Sequence, residues 1–197
     1  MSLYSLVPCH LYAEFLDNVL CALEVAAHYD SNGKNLMQYV ILFFPPRSMR
    51  TFKLRRCYKD RVLMPTISCL HKCVNLEELY LEKADSPAIT TYLLAHIIKF
   101  LNRIRVLALP KQCDDDVASV IGLNCPKLEC VILTGTSVTN GGLSWLMCCR
   151  QLNTLIIPGF FQDVTPKGVA LLLNGLKSLK HVVYDNMSEV LTYIDFN

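Results

Sequence analysis

The sequence predicts an α/β solenoid, with a parallel sheet on a concave side, helices on a convex side and an α-helical cap at the N-terminus. Three observations predict it. An apolar triplet spaced L-x-x-L-x-L occurs six times, at offsets of 24 to 28 residues. Each triplet alternates with the period of a strand and is followed by a polar turn and an apolar segment of helical length. The 197-residue chain is 52% hydrophobic and 18% charged, too apolar for disorder. One such unit cannot bury its apolar face alone, whereas stacked units share a core.

Residues 1–46 come first and differ from the rest. Leu11, Phe15, Leu16, Val19, Leu20 and Leu23 have helical spacing, "SNGKN" at Ser31–Asn35 breaks it, and "LMQYVILFF" ends at Pro45 and Pro46. Two helices are expected. They read either as a cap over the edge of the first repeat unit or as a docking module. The second reading rests on "LVPCHLYAEFL", where Leu6, Pro8, Leu11, Phe15 and Leu16 resemble the opening L-P-x-x-L-x-x-x-I/L-F of an F-box. Val7 separates Leu6 from Pro8, and no tryptophan follows before Trp145. That resemblance implies docking to Skp1 and a cullin. An elongin-C-binding box requires L-x-x-x-C, which fits neither Cys9 nor Cys21.

Residues 47–197 hold about six units. Their triplets are Met49, Phe52, Leu54; Leu76, Leu79, Leu81; Ile104, Leu107, Leu109; Leu128, Val131, Leu133; Leu152, Leu155, Ile157; and Leu179, Val182, Tyr184. "ITTYLLAHIIKFL" from Ile89, "GLSWLMC" from Gly142 and "GVALLLNGL" from Gly168 are the expected helices. Cys73, Cys125 and Cys149 each stand three residues before the first leucine of a unit, and Cys57 stands three after Leu54. Thr139, Gly142 and Leu143, and again Thr165, Gly168 and Val169, form a T-x-x-G-L-like step. These residues resemble the leucine-rich repeat, in the long cysteine-containing, ribonuclease-inhibitor-like type found in many F-box proteins. The third unit departs from it, with Asn102 and Arg103 before Ile104 and "KQCDDDVASVIG" in place of the T-x-x-G-L step. Beyond Tyr184, the residues Val190, Leu191, Ile194 and Phe196 suggest a short final helix.

The chemistry of an enzyme is not in evidence. Cys69, His71 and Cys73 lack the C-x-x-C pairing of a zinc site, and the repeat register accounts for Cys73, Cys125 and Cys149 as small buried hydrophobes. No G-x-S-x-G or H-E-x-x-H occurs, and "GLKS" lacks the Gly-Lys pair of a phosphate loop. We expect no catalysis, metal or cofactor. Seven cations between Arg47 and Arg61 would suit nucleic acid, but Phe52 and Leu54 divide them between two surfaces, and an acidic partner or a solvated end face is preferred. "DDD" at Asp114–Asp116 reads as a solvated turn that caps a helix starting near Val117. Apolar runs such as "YVILFF" are too short to span a membrane, and the first residues, with Glu14 and no basic region, do not read as a signal peptide. The ten cysteines are then expected to be reduced, in the cytoplasm or nucleus.

The alternation that buries the triplets turns the intervening residues to the concave side. The central row runs Lys53, Tyr80, Ala108, Ile132, Ile156, Val183. Thr51, Glu78, Val106, Cys130, Thr154 and His181 precede it, and Arg55, Glu82, Pro110, Thr134, Pro158 and Asp185 follow it. The first two units are charged there and the later ones apolar, which marks a protein-binding surface or neighbours that cover one another. Taken with the resemblance, the expected function is non-catalytic protein binding by a substrate-recognition subunit of a cullin–RING ubiquitin ligase. A scaffold with no ligase link is the alternative, and a nucleic-acid-associated factor is a third reading.

Overall fold

The computed structural model describes residues 49–53, 67–68, 70–81, 87, 89–158, 163–186 and 189–191, and the account below concerns these residues. Leu6, Pro8, Leu11, Phe15 and Leu16, with the rest of the N-terminal segment, lie outside them, as do Arg55, Cys57 and Glu82. The elements in chain order are β1 (Thr51–Lys53), a 3-10 turn (Leu70–Lys72), β2 (Glu78–Tyr80), α1 (Thr91–Ile98), β3 (Val106–Leu109) and α2 (Asp115–Asn124). They continue with β4 (Cys130–Leu133), α3 (Asn140–Trp145), a 3-10 turn (Leu146–Cys148), β5 (Thr154–Ile157), α4 (Pro166–Gly175), β6 (His181–Asn186) and β7 (Glu189–Leu191).

The seven strands form one sheet in chain order. β1 to β6 are parallel, each paired with the next. Consecutive helices pack side by side behind them. The fold is the α/β solenoid that the periodicity predicts, of the leucine-rich-repeat kind that the resemblance implies.

The triplets make the core. From Met49 and Phe52 to Leu179, Val182 and Tyr184, every described triplet residue is at most 5% exposed. Tyr184 stands where other units carry Leu or Ile, and its buried hydroxyl donates to the Val164 carbonyl at 2.8 Å, which removes the cost of burying it. The cysteine position is a turn position. The carbonyls of Cys73, Cys125 and Cys149 accept from Leu76, Leu128 and Leu152 N–H. In the units without this cysteine, Leu101 and Leu176 supply the same carbonyl to Ile104 and Leu179. The position therefore requires a small or aliphatic buried side chain, and sulfur is not essential to it.

Each helix starts in the same way. Ile89, Cys113, Val138 and Val164 are buried just before the N-cap residues Thr90, Asp114, Thr139 and Thr165. Each cap side chain accepts a hydrogen bond from a backbone N–H of the first turn. The residue after each cap reaches to the cap of the next unit. Thr91 Oγ1 donates to Asp114 Oδ2 at 3.0 Å. Asp115 accepts from Thr139 N–H at 2.7 Å and from its hydroxyl at 2.6 Å. Asn140 accepts from Thr165 N–H and donates to its hydroxyl, both at 3.0 Å. Pro166, with no polar side chain, ends the ladder. The glycine of the T-x-x-G step follows from it, because a Cβ on Gly142 would strike the Asp115 carboxylate and one on Gly168 the Asn140 amide.

Two expectations are corrected. Asp114 does cap a helix, but the helix begins at Asp115 rather than near Val117. Asp115 and Asp116 therefore lie in its first turn, where the positive end of the helix favours carboxylates. Val190 and Leu191 are not helical. They belong to β7, antiparallel to β6 with Tyr184 opposite Leu191 and Asp185 opposite Val190. β6 is the last parallel strand among the described residues, and β7 pairs with the backbone groups along its far edge.

Candidate functional site: the concave sheet

The strand register assembles the expected rows. Lys53, Tyr80, Ala108, Ile132, Ile156 and Val183 are successive register partners, as are Thr51, Glu78, Val106, Cys130, Thr154 and His181. Beyond the strands, Thr134 and Pro158 are half-buried and Pro110 is buried.

The two ends of the face differ. On β1 and β2, Lys53 Nζ lies 4.7 Å from the centre of the Tyr80 ring, a cation–π distance. Thr51 and Tyr80 hydroxyls both donate to Glu78 Oε2, at 3.4 Å. From β3 to β6 the half-buried side chains are Val106, Cys130, Ile132, Thr154, Ile156, His181 and Val183. Thr154, Ile156, His181, Val182 and Val183 line a hollow of about 320 Å3. Ala108 is in the row but is 0% exposed. Strands lie about 4.8 Å apart, so a methyl between its larger register neighbours Tyr80 and Ile132 has no open surface. The apolar residues of this face shade one another in the same way, and none of the large side chains open to solvent is among them.

A charge ladder borders the face where the strands begin. Arg50 pairs with Glu77 at 2.5 Å, and Arg105 grips Glu129 with two bonds of 2.9 and 3.0 Å. Glu129 pushes the Arg105 guanidinium above its ordinary pKa. Of the basic run, then, Arg50 is held at this border and Lys53 faces the concave side, as the alternation implied.

Among the described residues no three His, Cys, Asp or Glu side chains stand close enough to hold a metal ion. Cys73 is buried in the core, and His71 Nδ1 lies 2.6 Å from the Ser68 carbonyl. Burial pushes the Cys149 thiol up to about 12 and those of Cys113 and Cys125 higher still. The thiolate is the reactive form, so these three stay neutral and unreactive at pH 8. Cys148 is exposed. Iodoacetamide labelling of the folded chain at pH 8, read by peptide mass spectrometry, should modify Cys148 and leave Cys113, Cys125 and Cys149 intact until denaturant is added. Modification of the three at the rate of Cys148 would show that the core is not closed as described.

Sequence reasoning missed the helical side. The large apolar side chains open to solvent among the described residues are Val74, Tyr92, Phe100, Leu123, Trp145, Met147 and Leu171. All lie on helices or on the connections that follow them. Tyr92 stacks on His96 along α1, Phe100 meets His96 edge to face just past its end, and His71 lies 5.3 Å from His96 and 5.7 Å from Phe100 between ring centres. The spacing of Tyr92, His96 and Phe100 was the available signal. No described helix is long and apolar enough to cross a membrane.

No protein-family model and no curated protein matches the chain. Solved structures do. A structure of leiomodin-1 actin-binding site 2 is 18% identical, with a TM-score of 0.51, over 64% of this chain and 80% of that one. A chain of the Rad7 and Elc1 complex in yeast is 15% identical, with a TM-score of 0.58, over 87% of this chain and 53% of that one. This chain thus spans about half the length of its yeast neighbour. Internalin C2 from Listeria monocytogenes is 14% identical, with a TM-score of 0.49, over 76% and 64%. At these identities the likeness is one of fold.

Proposed function

We propose that this chain is a non-catalytic binding module that holds another protein against its concave strands. The observation that carries this reading is the neutral half of the face, where Ile132, Ile156 and Val183 line up across three strands, with Val106 in the adjoining row, beside the hollow at Thr154 and His181. Such a surface can release water on binding while Thr154 and Thr134 supply hydrogen bonds, the usual make-up of a protein interface. The charged half, Lys53, Glu78 and Tyr80, with Arg55 and Glu82 adjoining in sequence, sets orientation. The fold neighbours, actin-binding site 2 of leiomodin-1 and a chain of the Rad7 and Elc1 complex, support a role in partner binding.

More specifically, the chain acts as a substrate-recognition subunit of a cullin–RING ubiquitin ligase, of the cysteine-containing F-box type, in the cytoplasm or nucleus. Leu6, Pro8, Leu11, Phe15 and Leu16 dock Skp1 and through it the cullin. The full chain, purified from cells beside Leu11→Asp/Phe15→Asp, tests this. Skp1 and a cullin should accompany the intact chain and be lost from the variant. Their absence from a soluble intact chain removes the ligase link. A second reading then stands, a leucine-rich-repeat scaffold whose residues 1–46 cap the sheet. The open side of β1, which pairs only with β2 among the described strands, favours that reading.

A further inference from the structure

The parallel sheet brings every helix-to-strand connection to one edge of the solenoid. The four connections that follow α1, α2, α3 and α4 carry Lys99 and Arg103, then Lys127, then Arg150, then Lys177 and Lys180. All six cations are exposed, and none has an ion-pair partner among the described residues. The only acid in these four connections is Glu129, and Arg105 holds it. The acids collect instead where the helices begin, at Asp114, Asp115, Asp116 and Asp163. Lys111 and Lys167 lie on that side as well, so among the described residues it keeps only a small excess of acids, whereas the helix-to-strand side carries a clear excess of cations. Helix-dipole compensation does not explain the cations, since five of the six lie beyond the last turn.

Large apolar side chains lie among these cations. Phe100 and Trp145 are each 42% exposed, Leu123 is 67% exposed and Met147 36%. All four sit at helix ends or just past them. Cations interleaved with exposed aromatic and aliphatic groups along one edge match the interface of an anionic bilayer, where the charges meet headgroups and the apolar groups enter the acyl boundary. Nucleic acid fits less well, because Leu123 and Met147 offer no flat ring for base stacking. We propose that this edge docks on the anionic surface of a lipid bilayer, from one side and without spanning it.

Trp145, the only tryptophan, is a built-in reporter. Full-length protein is mixed with phosphatidylcholine vesicles, with or without about 30% phosphatidylserine, at about 0.1 M salt. Vesicles containing phosphatidylserine should shift Trp145 emission to the blue and sediment the protein, and raising the salt about fivefold should release it. Each cation removed should weaken binding about fivefold, so Lys127→Glu/Arg150→Glu should lose more than about 25-fold while melting like the intact chain. Three outcomes would overturn the proposal: no shift with phosphatidylserine, equal binding to neutral vesicles, or retained binding in a folded charge-reversed variant. Quenching of Trp145 by oligouridylate where vesicles leave it unchanged would also overturn it and assign the edge to nucleic acid.

Discussion

Asp115→Ala is expected to lower the thermal midpoint by about 5–10 °C. Two hydrogen bonds from Thr139, at 2.7 and 2.6 Å, end on this one carboxylate and join the second and third helices at their starts. Hydrogen bonds to a charged group are worth about 1.5–3 kcal/mol each, and removing the acceptor leaves the half-buried Thr139 N–H without a partner. Asp115 and Thr139 are both partly exposed, so water replaces part of each bond, and a total loss of about 2–3 kcal/mol in a domain of this size gives that shift. Asp115→Asn should lose much less, because Asn140 already holds Thr165 in the same two-point manner in the next unit. The link also predicts a coupling. Gly142→Ala brings a Cβ against the Asp115 carboxylate and Val138, so it should cost less in the Asp115→Ala background than alone. Circular-dichroism melts of the two single variants, the asparagine variant and the double variant decide this. Equal melting of the alanine and asparagine variants, or strict additivity of the pair, would count against the ladder.

The same residues show what a linear reading can see. The buried triplets were legible because burial acts on side-chain type at a fixed period, and an alternating strand then determines the concave rows. Cys73, Cys125 and Cys149 were legible as turn markers for the same reason, although Leu101 and Leu176 in their place show that a buried apolar side chain rather than sulfur is what the turn requires. The cap ladder was not legible. Thr91, Asp115 and Asn140 share no residue type, and their partners lie 23 to 25 residues away. The glycines were visible as a motif, but their reason, a side chain from the preceding unit occupying the space, exists only in the stack. The cationic edge escaped because its charges come one or two at a time, whereas Arg47–Arg61 drew attention as a run. β7 depends on the open edge of β6 rather than on the local preferences of Val190 and Leu191, and Ala108 lost its exposure to the size of its neighbours.

Ile132→Arg/Ile156→Arg is expected to abolish binding to the concave face while leaving the fold intact. The two isoleucines are register partners at the centre of β4 and β5, half-buried and turned away from the core that holds Val131 and Leu155. Arginine there keeps its stem on the sheet and its charge in water, so the melting midpoint should stay within a few degrees of the intact chain, about 1 kcal/mol at most. In a complex the same two charges would be buried against a surface that fits apolar groups. Central interface positions commonly carry 2 kcal/mol or more each, so the loss should reach about 100-fold or greater. The readout is the set of proteins recovered with the tagged full chain, compared between intact chain, this variant and Leu171→Arg. Leu171 is exposed on α4, away from the sheet. Partners lost with the concave variant but kept with Leu171→Arg belong to the concave face. If Skp1 stays with the concave variant while those partners leave, the two ends of the chain act separately, as a recognition subunit requires. If every partner survives both arginines, the concave face is not where this solenoid binds, and the exposed apolar groups of the helical side become the surface to test.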